Sequence, residues 1–394
     1  MTGLRLVSAD VPRSPGEPGE TSGVVESMGA FALDLWDAVG DPQQNLALSP
    51  YSIAVALAMT ANGARGETAE RMREVLHVGS LAAYNTGMAA LTQHLAALAG
   101  STRVGGERLE IELSPANQLF ADGSVQWQRA FLTVLAKEYG AGLRTVDFRA
   151  DPEAARQLVN EWTATQTHDR IPEILPQGTV DVMTRLVLVN ALYFKAPWAL
   201  PFDTIATTSG RFTRPDGTTV AVPMMSTDEG PTYLAGQHFR GARLRYAGGG
   251  LAMTVALPPT DAEEVALGEL LGGALHHSGR PGLRLTMPRW TYRVATDLKP
   301  PLAGLGMDVA FGGDADFGAM TDDTDLEISE VRHQTYVAVD EAGTEAAAAT
   351  AVGMRTTSMP VTREELVLDR PFLYVIHDTD HGTPLFVGRV TDPG

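Results

Sequence analysis

An α+β fold is predicted for this chain by three observations. Helical and extended runs alternate from about residue 24 to the C-terminus, punctuated only by short Gly/Pro stretches, with no linker, internal repeat or coiled-coil heptad run. Segment 185–202, RLVLVNALYFKAPWALPF, is a near-continuous apolar run of the kind that suits a strand buried on both faces. The tract 340–350, DEAGTEAAAAT, contradicts itself: its Glu and four alanines favour helix, yet it sits between the extended run TYVAV and a long polar loop. Such a conflict between local preference and context marks function more often than error.

Taken in order, residues 1–22 are rich in Pro and Gly and read as a disordered arm ahead of a body spanning 23–394. Segment 45–72 has helical apolar spacing, with Ser49, Pro50 and Ser52 at its start and Asn62-Gly63 as a stop. Residues 369–393 read as a closing hairpin with HDTDHGT as its turn. Read with period 2, the tract 340–350 puts Thr344, Ala346, Ala348 and Thr350 on one face and Glu345, Ala347 and Ala349 on the other. Every side chain on the first face is small, so the strip could enter the middle of a sheet without overpacking it.

Composition excludes several classes. With 394 residues the chain is longer than a usual single core, so length alone suggests two or three domains. The formal net charge of −18 repels nucleic acid and anionic membranes, and neither is expected as a partner. The absence of Cys excludes disulfides and thiolate chemistry. Only Lys137, Lys195 and Lys299 are Lys among 30 basic residues, a bias that fits a GC-rich, bacterial genome. No apolar stretch of membrane-spanning length and no secretory leader is visible, so a cytoplasmic location is expected, with an extracellular one as the alternative.

The residues Glu341, Gly343, Thr344, Glu345 and Ala346 to Ala349, with the elements quoted above and with VPMM (222–225), MPRW (287–290), LGM (305–307) and DFGAMT (316–321) in the same order, resemble the serpins, inhibitors of serine proteases. The resemblance implies one large domain with three β-sheets, eight to nine α-helices and an exposed reactive-centre loop at about 341–365. It further implies a monomer that is no enzyme and needs no cofactor or metal. The resemblance also implies that a serine protease cuts the loop, which then inserts into the central sheet and traps the protease covalently. Gly343, Thr344, Glu345, Ala346, Ala347, Ala348 and Ala349 match the hinge. Glu341, Arg289 and Trp198 match the breach, where insertion begins, and Ser49, Ser52, Asn190 and His333 match the shutter beneath the sheet. Family spacing places the cut after Thr357, with Ser358 on the leaving side and Met354, Arg355 and Met359 as alternatives. That residue suits an elastase-like or subtilisin-like protease; slippage would offer a chymotrypsin-like or, less readily, a trypsin-like site. A non-inhibitory carrier or chaperone is the alternative within the family.

Blander readings stand beside these. Ser49 alone is a plain N-cap, His333 a satisfied strand histidine, and Glu341 with Arg289 an ordinary surface pair. A hydrolase would need the G-x-S-x-G elbow, which is absent. His377 and His381 have the i,i+4 spacing of a helical metal pair but fall in a predicted hairpin turn, so no metal is expected there. The acidic run 321–327 lacks the Gly of a calcium loop.

Overall fold

Helices and three β-sheets alternate along the chain, in the arrangement the sequence predicts. The computed structural model describes residues 3–104, 107–228, 230–259, 267–275, 279–322, 326–345 and 364–394. Within these, eight helices are α1 (Thr21–Val39), α2 (Pro50–Ala61), α3 (Gly66–Val75), α4 (Leu81–Leu98), α5 (Arg129–Val134), α6 (Pro152–Gln166), α7 (Leu267–Glu269) and α8 (Lys299–Leu302). The eight-stranded sheet runs in the order β1 (Arg5–Val7), β5 (Leu143–Val146), β4 (Glu107–Asp122), β6 (Leu186–Pro197), β15 (Gly343–Thr344), β14 (Glu330–Val339) and β13 (Trp290–Asp297), with β3 (Gly100–Val104) paired to β4. A six-stranded sheet runs β2 (Leu46–Leu48), β18 (Pro384–Val390), β17 (Phe372–Asp378), β11 (Leu251–Leu257), β10 (Arg240–Arg245) and β9 (Thr232–Ala235). A four-stranded sheet runs β16 (Glu364–Val367), β12 (Leu283–Pro288), β8 (Thr219–Thr227) and β7 (Thr208–Thr213).

The elements form for reasons visible in their residues. Ser49 caps α2, its side chain accepting from the Ser52 backbone N–H at 3.2 Å, and Pro50 follows at the first helical position. Asn62 ends the helix, and all twelve residues of α2 are buried, which requires the apolar composition the segment has. Strand β6 is buried on both faces because it lies between two cores. Leu188, Leu192 and Phe194 join the core shared with α2 and the six-stranded sheet. Val187, Val189 and Ala191 join a second core with Phe120, Val159 of α6 and Ile171. Helix α6 therefore lies across the outer face of the large sheet.

The N-terminal segment departs from the expected disordered arm. Arg5, Leu6 and Val7 pair antiparallel with Thr145, Arg144 and Leu143, covering the outer edge of β5, and α1 already begins at Thr21. Between them, the Ser14 N–H donates to the Lys137 carbonyl at 2.7 Å and the Glu17 N–H to that of Thr86 at 2.9 Å. Backbone pairing of this sort leaves no periodic signature in a Pro/Gly-rich sequence.

Candidate functional site where the large sheet parts

Strands β6 and β14 are parallel neighbours over only part of their length. Val187 to Leu192 pair in register with Glu330 to Thr335, six pairs in all. At the other end β15 fills the gap, antiparallel to both: Gly343 opposes Pro197, while Thr344 opposes Ala196 on one side and Val339 on the other. The chain reverses between Val339 and Thr344 in a turn that Asp340 organises, its Oδ1 accepting from the backbone N–H of Ala342 at 2.8 Å and of Gly343 at 3.2 Å. A Cβ on Gly343 would lie 2.2 Å from the Ala196 carbonyl oxygen and 2.7 Å from Pro197 Cα, so only glycine lets this backbone approach β6.

The two hinge side chains that the structure describes point to opposite faces. Thr344 is buried, 2 % exposed, and its hydroxyl meets that of Tyr246 at 2.7 Å. Glu345 turns to the outer face and pairs with Arg170, from the loop after α6. Its backbone has φ +51°, a left-handed conformation uncommon for Glu, at the point where β15 ends. Burial pushes the Glu345 carboxyl up, and the Arg170 hydrogen bond opposes this only in part. Ala346, Ala347, Ala348, Ala349, Thr357 and Ser358, with Met354, Arg355 and Met359, lie outside the described residues.

At the mouth of the gap, Glu341 is buried and its carboxylate accepts from Arg289 and from the Thr207 hydroxyl. Burial raises its carboxyl, but the hydrogen bonds from Arg289 and Thr207 outweigh this and hold it below the ordinary value. Trp198 serves the backbone of the turn: its indole N–H donates to the Asp340 carbonyl at 3.0 Å, and its ring stacks on Tyr246 at 4.6 Å with 9° between the planes. The Trp198 and Phe202 amides donate to the Ala342 and Glu341 carbonyls, each at 2.9 Å. Arg289, Glu341 and Trp198 thus meet at one turn. Thr207, Tyr246, Asp340 and Arg170 complete it; Asp340 opens the tract singled out in the sequence, and the other three carried no signal there.

Further down, the six-pair ladder holds a row of polar side chains from three adjacent strands. Asn117 of β4 is opposite Asn190 of β6, which is opposite His333 of β14. Asn190 Nδ2 donates to Ser52 Oγ and to Asn117 Oδ1, each at 2.7 Å, and Ser52 Oγ donates to the same Asn117 oxygen at 2.5 Å. His333 Nε2 accepts from the Ser49 backbone N–H at 3.1 Å. That contact fixes the tautomer: Nδ1 carries the proton and donates to Asn190 Oδ1. Burial pushes the imidazole down to about 3, against the opposing hydrogen bond at Asn190, so the ring is neutral. Ser49, Ser52, Asn190 and His333 come together, and Asn117, which the sequence reading missed, is the fifth member; among the several polar residues of β4 nothing in the sequence sets it apart.

His377 and His381 do not meet as a pair. His377 is buried against Thr254, its Nε2 3.0 Å from the Thr254 hydroxyl. No helix among the described residues is long and apolar enough to cross a membrane.

Similarity to known proteins agrees with this geometry. The family model described as serpin (serine protease inhibitor) matches residues 26–393. The leukocyte elastase inhibitor of Sus scrofa is 35 % identical over 378 residues, 92 % of this chain and 97 % of that protein. An uncharacterised serpin-like protein of Thermococcus kodakarensis is 33 % identical over 383 residues, 95 % of this chain and 87 % of that protein. The native-state crystal structure of the thermophilic serpin tengpin superposes with a TM-score of 0.85 at 25 % identity, covering 99 % of this chain and all of that one. A chain matched over nearly its whole length by the family model, with the family's sheets around a parted central pair of strands, belongs to the serpin family.

Proposed function

We propose that this chain inhibits a serine protease by covalent trapping. The observation that carries the reading is β15, a two-residue strand already seated between β6 and β14 and antiparallel to both. It opens a tract in which Glu345 is followed by four alanines, Ala346 to Ala349. Continuing β15 along the same line would exchange the six parallel β6–β14 pairs for two antiparallel ladders. Each added hydrogen bond contributes about 1 kcal/mol net, so a dozen residues of new central strand outweigh ordinary marginal stability. About 13 residues from Thr344 to Thr356, at roughly 3.3 Å each, carry a tethered protease some 40 Å, and pressing it against the far end distorts a catalytic geometry that tolerates about 0.5 Å.

In this reading Glu341, Arg289 and Trp198 with Thr207 and Tyr246 hold the entrance, and Ser49, Ser52, Asn190 and His333 with Asn117 hold the ladder that must open. The reactive bond is Thr357–Ser358, and the target is elastase-like or subtilisin-like; similarity to proteins named leukocyte elastase inhibitor supports the first. The protein acts as a monomer. Incubation with elastase-like, subtilisin-like, chymotrypsin-like and trypsin-like proteases is expected to give a detergent-stable complex, and the released peptide to begin at Ser358. A peptide beginning at Arg355, Thr356 or Pro360 would move the bond. Clean cleavage without complex by every protease would leave a non-inhibitory member of the family.

A further inference from the structure

On the side of the molecule where α4 meets the turn between β17 and β18, three side chains converge that the proposed inhibition does not use. Asp378, at the end of β17, is buried and shapes the turn: its Oδ1 accepts from the backbone N–H of Asp380 at 3.1 Å and of His381 at 2.8 Å, and its Oδ2 from that of Thr383 at 2.8 Å. His381 Nδ1 lies 3.3 Å from the same Oδ1. His94 comes from α4, far away in sequence. Its Nε2 is 3.6 Å from Asp378 Oδ1 and 3.6 Å from Asp380 Oδ2, and the two imidazole rings stand edge to face at 4.6 Å.

That Nε2 is the informative atom. It is buried, points at two carboxylates, and makes no hydrogen bond, since 3.6 Å is too long for one. A buried histidine nitrogen that only paired with a carboxylate would close to about 2.7–2.9 Å. Around a tetrahedral zinc ion, by contrast, ligand atoms at about 2.0–2.1 Å from the metal stand roughly 3.3–3.4 Å from one another. The separations of 3.3 and 3.6 Å found here differ from that by a few tenths of an ångström. Among the described residues, His94, Asp378 and His381 form a group able to bring one ligand atom each within 4.8 Å of the others.

We propose that His94, Asp378 and His381 bind a divalent transition-metal ion of the zinc type. Two imidazoles and one carboxylate suit such an ion far better than calcium or magnesium, which take oxygen ligands. Asp380, whose side chain is exposed and already 3.6 Å from His94, can swing to the fourth position, or water takes it. Asp378 is buried behind the site, and the two histidines are about a quarter to a third exposed, so an ion enters from solvent against a fixed back wall. The i,i+4 spacing in HDTDH is unrelated to the site: His377 is engaged by Thr254, and His94 takes its place. An ion here ties helix α4 to the end of the six-stranded sheet and is structural in role.

Protein stripped with a chelator is titrated with zinc alone, followed by calorimetry and by thermal melting. We expect one equivalent bound and a rise in melting temperature of about 3 °C at a hundredfold excess over Kd. Cobalt in place of zinc should give the visible absorption of a tetrahedral site. His94→Gln and His381→Gln should each weaken binding at least tenfold, Asp380→Asn less, and His238→Gln, on an exposed histidine paired with Glu269, not at all. Asp380→Asn changes an exposed side chain, so it reports on the site even if a histidine variant folds poorly. Lack of binding up to about 100 µM zinc, or stoichiometric binding retained in both His94→Gln and His381→Gln, overturns the proposal.

Discussion

Acid should weaken this protein through one imidazole. His333 is fully buried, neutral, and pushed down to about 3, whereas in the unfolded chain a histidine titrates near 6.5. The folded value is depressed, so the unfolded chain takes up the proton first and stability falls as pH drops below about 6.5. The loss grows by about 1.4 kcal/mol per pH unit until the folded ring itself titrates near 3. Between pH 7.5 and 5.0 the loss sums to about 2 kcal/mol. Glu341, whose carboxyl is held low, also loses stability in acid, but chiefly below this window, whereas the raised carboxyl of Glu345 acts in the opposite sense. Replacing His333 by Gln isolates the histidine, since glutamine is uncharged at both pH values. Urea unfolding of both proteins at pH 7.5 and 5.0 should show the wild type losing about 2 kcal/mol more than His333→Gln across that interval. The variant starts from a lower stability, because Ser49 and Asn190 lose a well-placed partner; that offset cancels in the comparison. Equal acid losses in the two proteins would refute the reasoning.

Three further outcomes follow from the entrance. Thr344→Arg should reduce detergent-stable complex and increase cleaved product; since Thr344 is already buried against Tyr246, it should also lower native stability by about 2 to 5 kcal/mol, and unchanged complex yield would oppose a strand-insertion role. Arg289→Ala or Glu341→Gln should cost about 1 to 2 kcal/mol, because Glu341 is buried but Arg289 is half exposed, and native gels of heated protein should show polymer at lower temperature than wild type. Arg170→Ala leaves the nearly buried Glu345 carboxyl without its half-exposed partner, for about 1 to 2 kcal/mol, and hydrogen exchange at residues 338–345 should quicken while the Ser49–His333 cluster stays protected.

Much of this was legible because it depends on composition at short range. The apolar run of β6 reports burial on both faces, and the Ser49-Pro50 start and Asn62 stop of α2 follow from capping chemistry. Gly343 reports a close approach to a neighbouring backbone, which the Ala196 carbonyl supplies. The unread parts all depend on long-range pairing. Nothing near Arg170 says that it will meet Glu345, and Tyr246 reaches Thr344 only because β10 leads the chain beneath β6. His94 and His381 are in the same position: the spacing within HDTDH drew attention to the wrong partner because it is local, whereas the real neighbour arrives through packing of α4. The pairing of residues 5–7 with β5 was hidden for the opposite reason, since backbone hydrogen bonds at a sheet edge ask little of the side chains.

The two polar clusters are not independent ornaments on the large sheet, because both are strung on the same two strands. Asn190 and Ala196 lie on β6 six residues apart, roughly 20 Å, and His333 and Glu341 lie on β14 and the turn that follows it. Thr344 already occupies the place opposite Ala196 that β14 would otherwise take. A strand lengthening from there first meets Leu192 opposite Thr335, then Ala191 opposite Gln334, and only then the Asn190–His333 pair. Under the proposed insertion, the entrance contacts would decide whether the sheet begins to open, and the buried cluster whether opening passes the third pair. A neutral, fully engaged histidine suits that second position: it costs the closed sheet nothing above pH 6.5, yet parting the strands leaves the Ser49 amide and the Asn190 amide group without their partners at once.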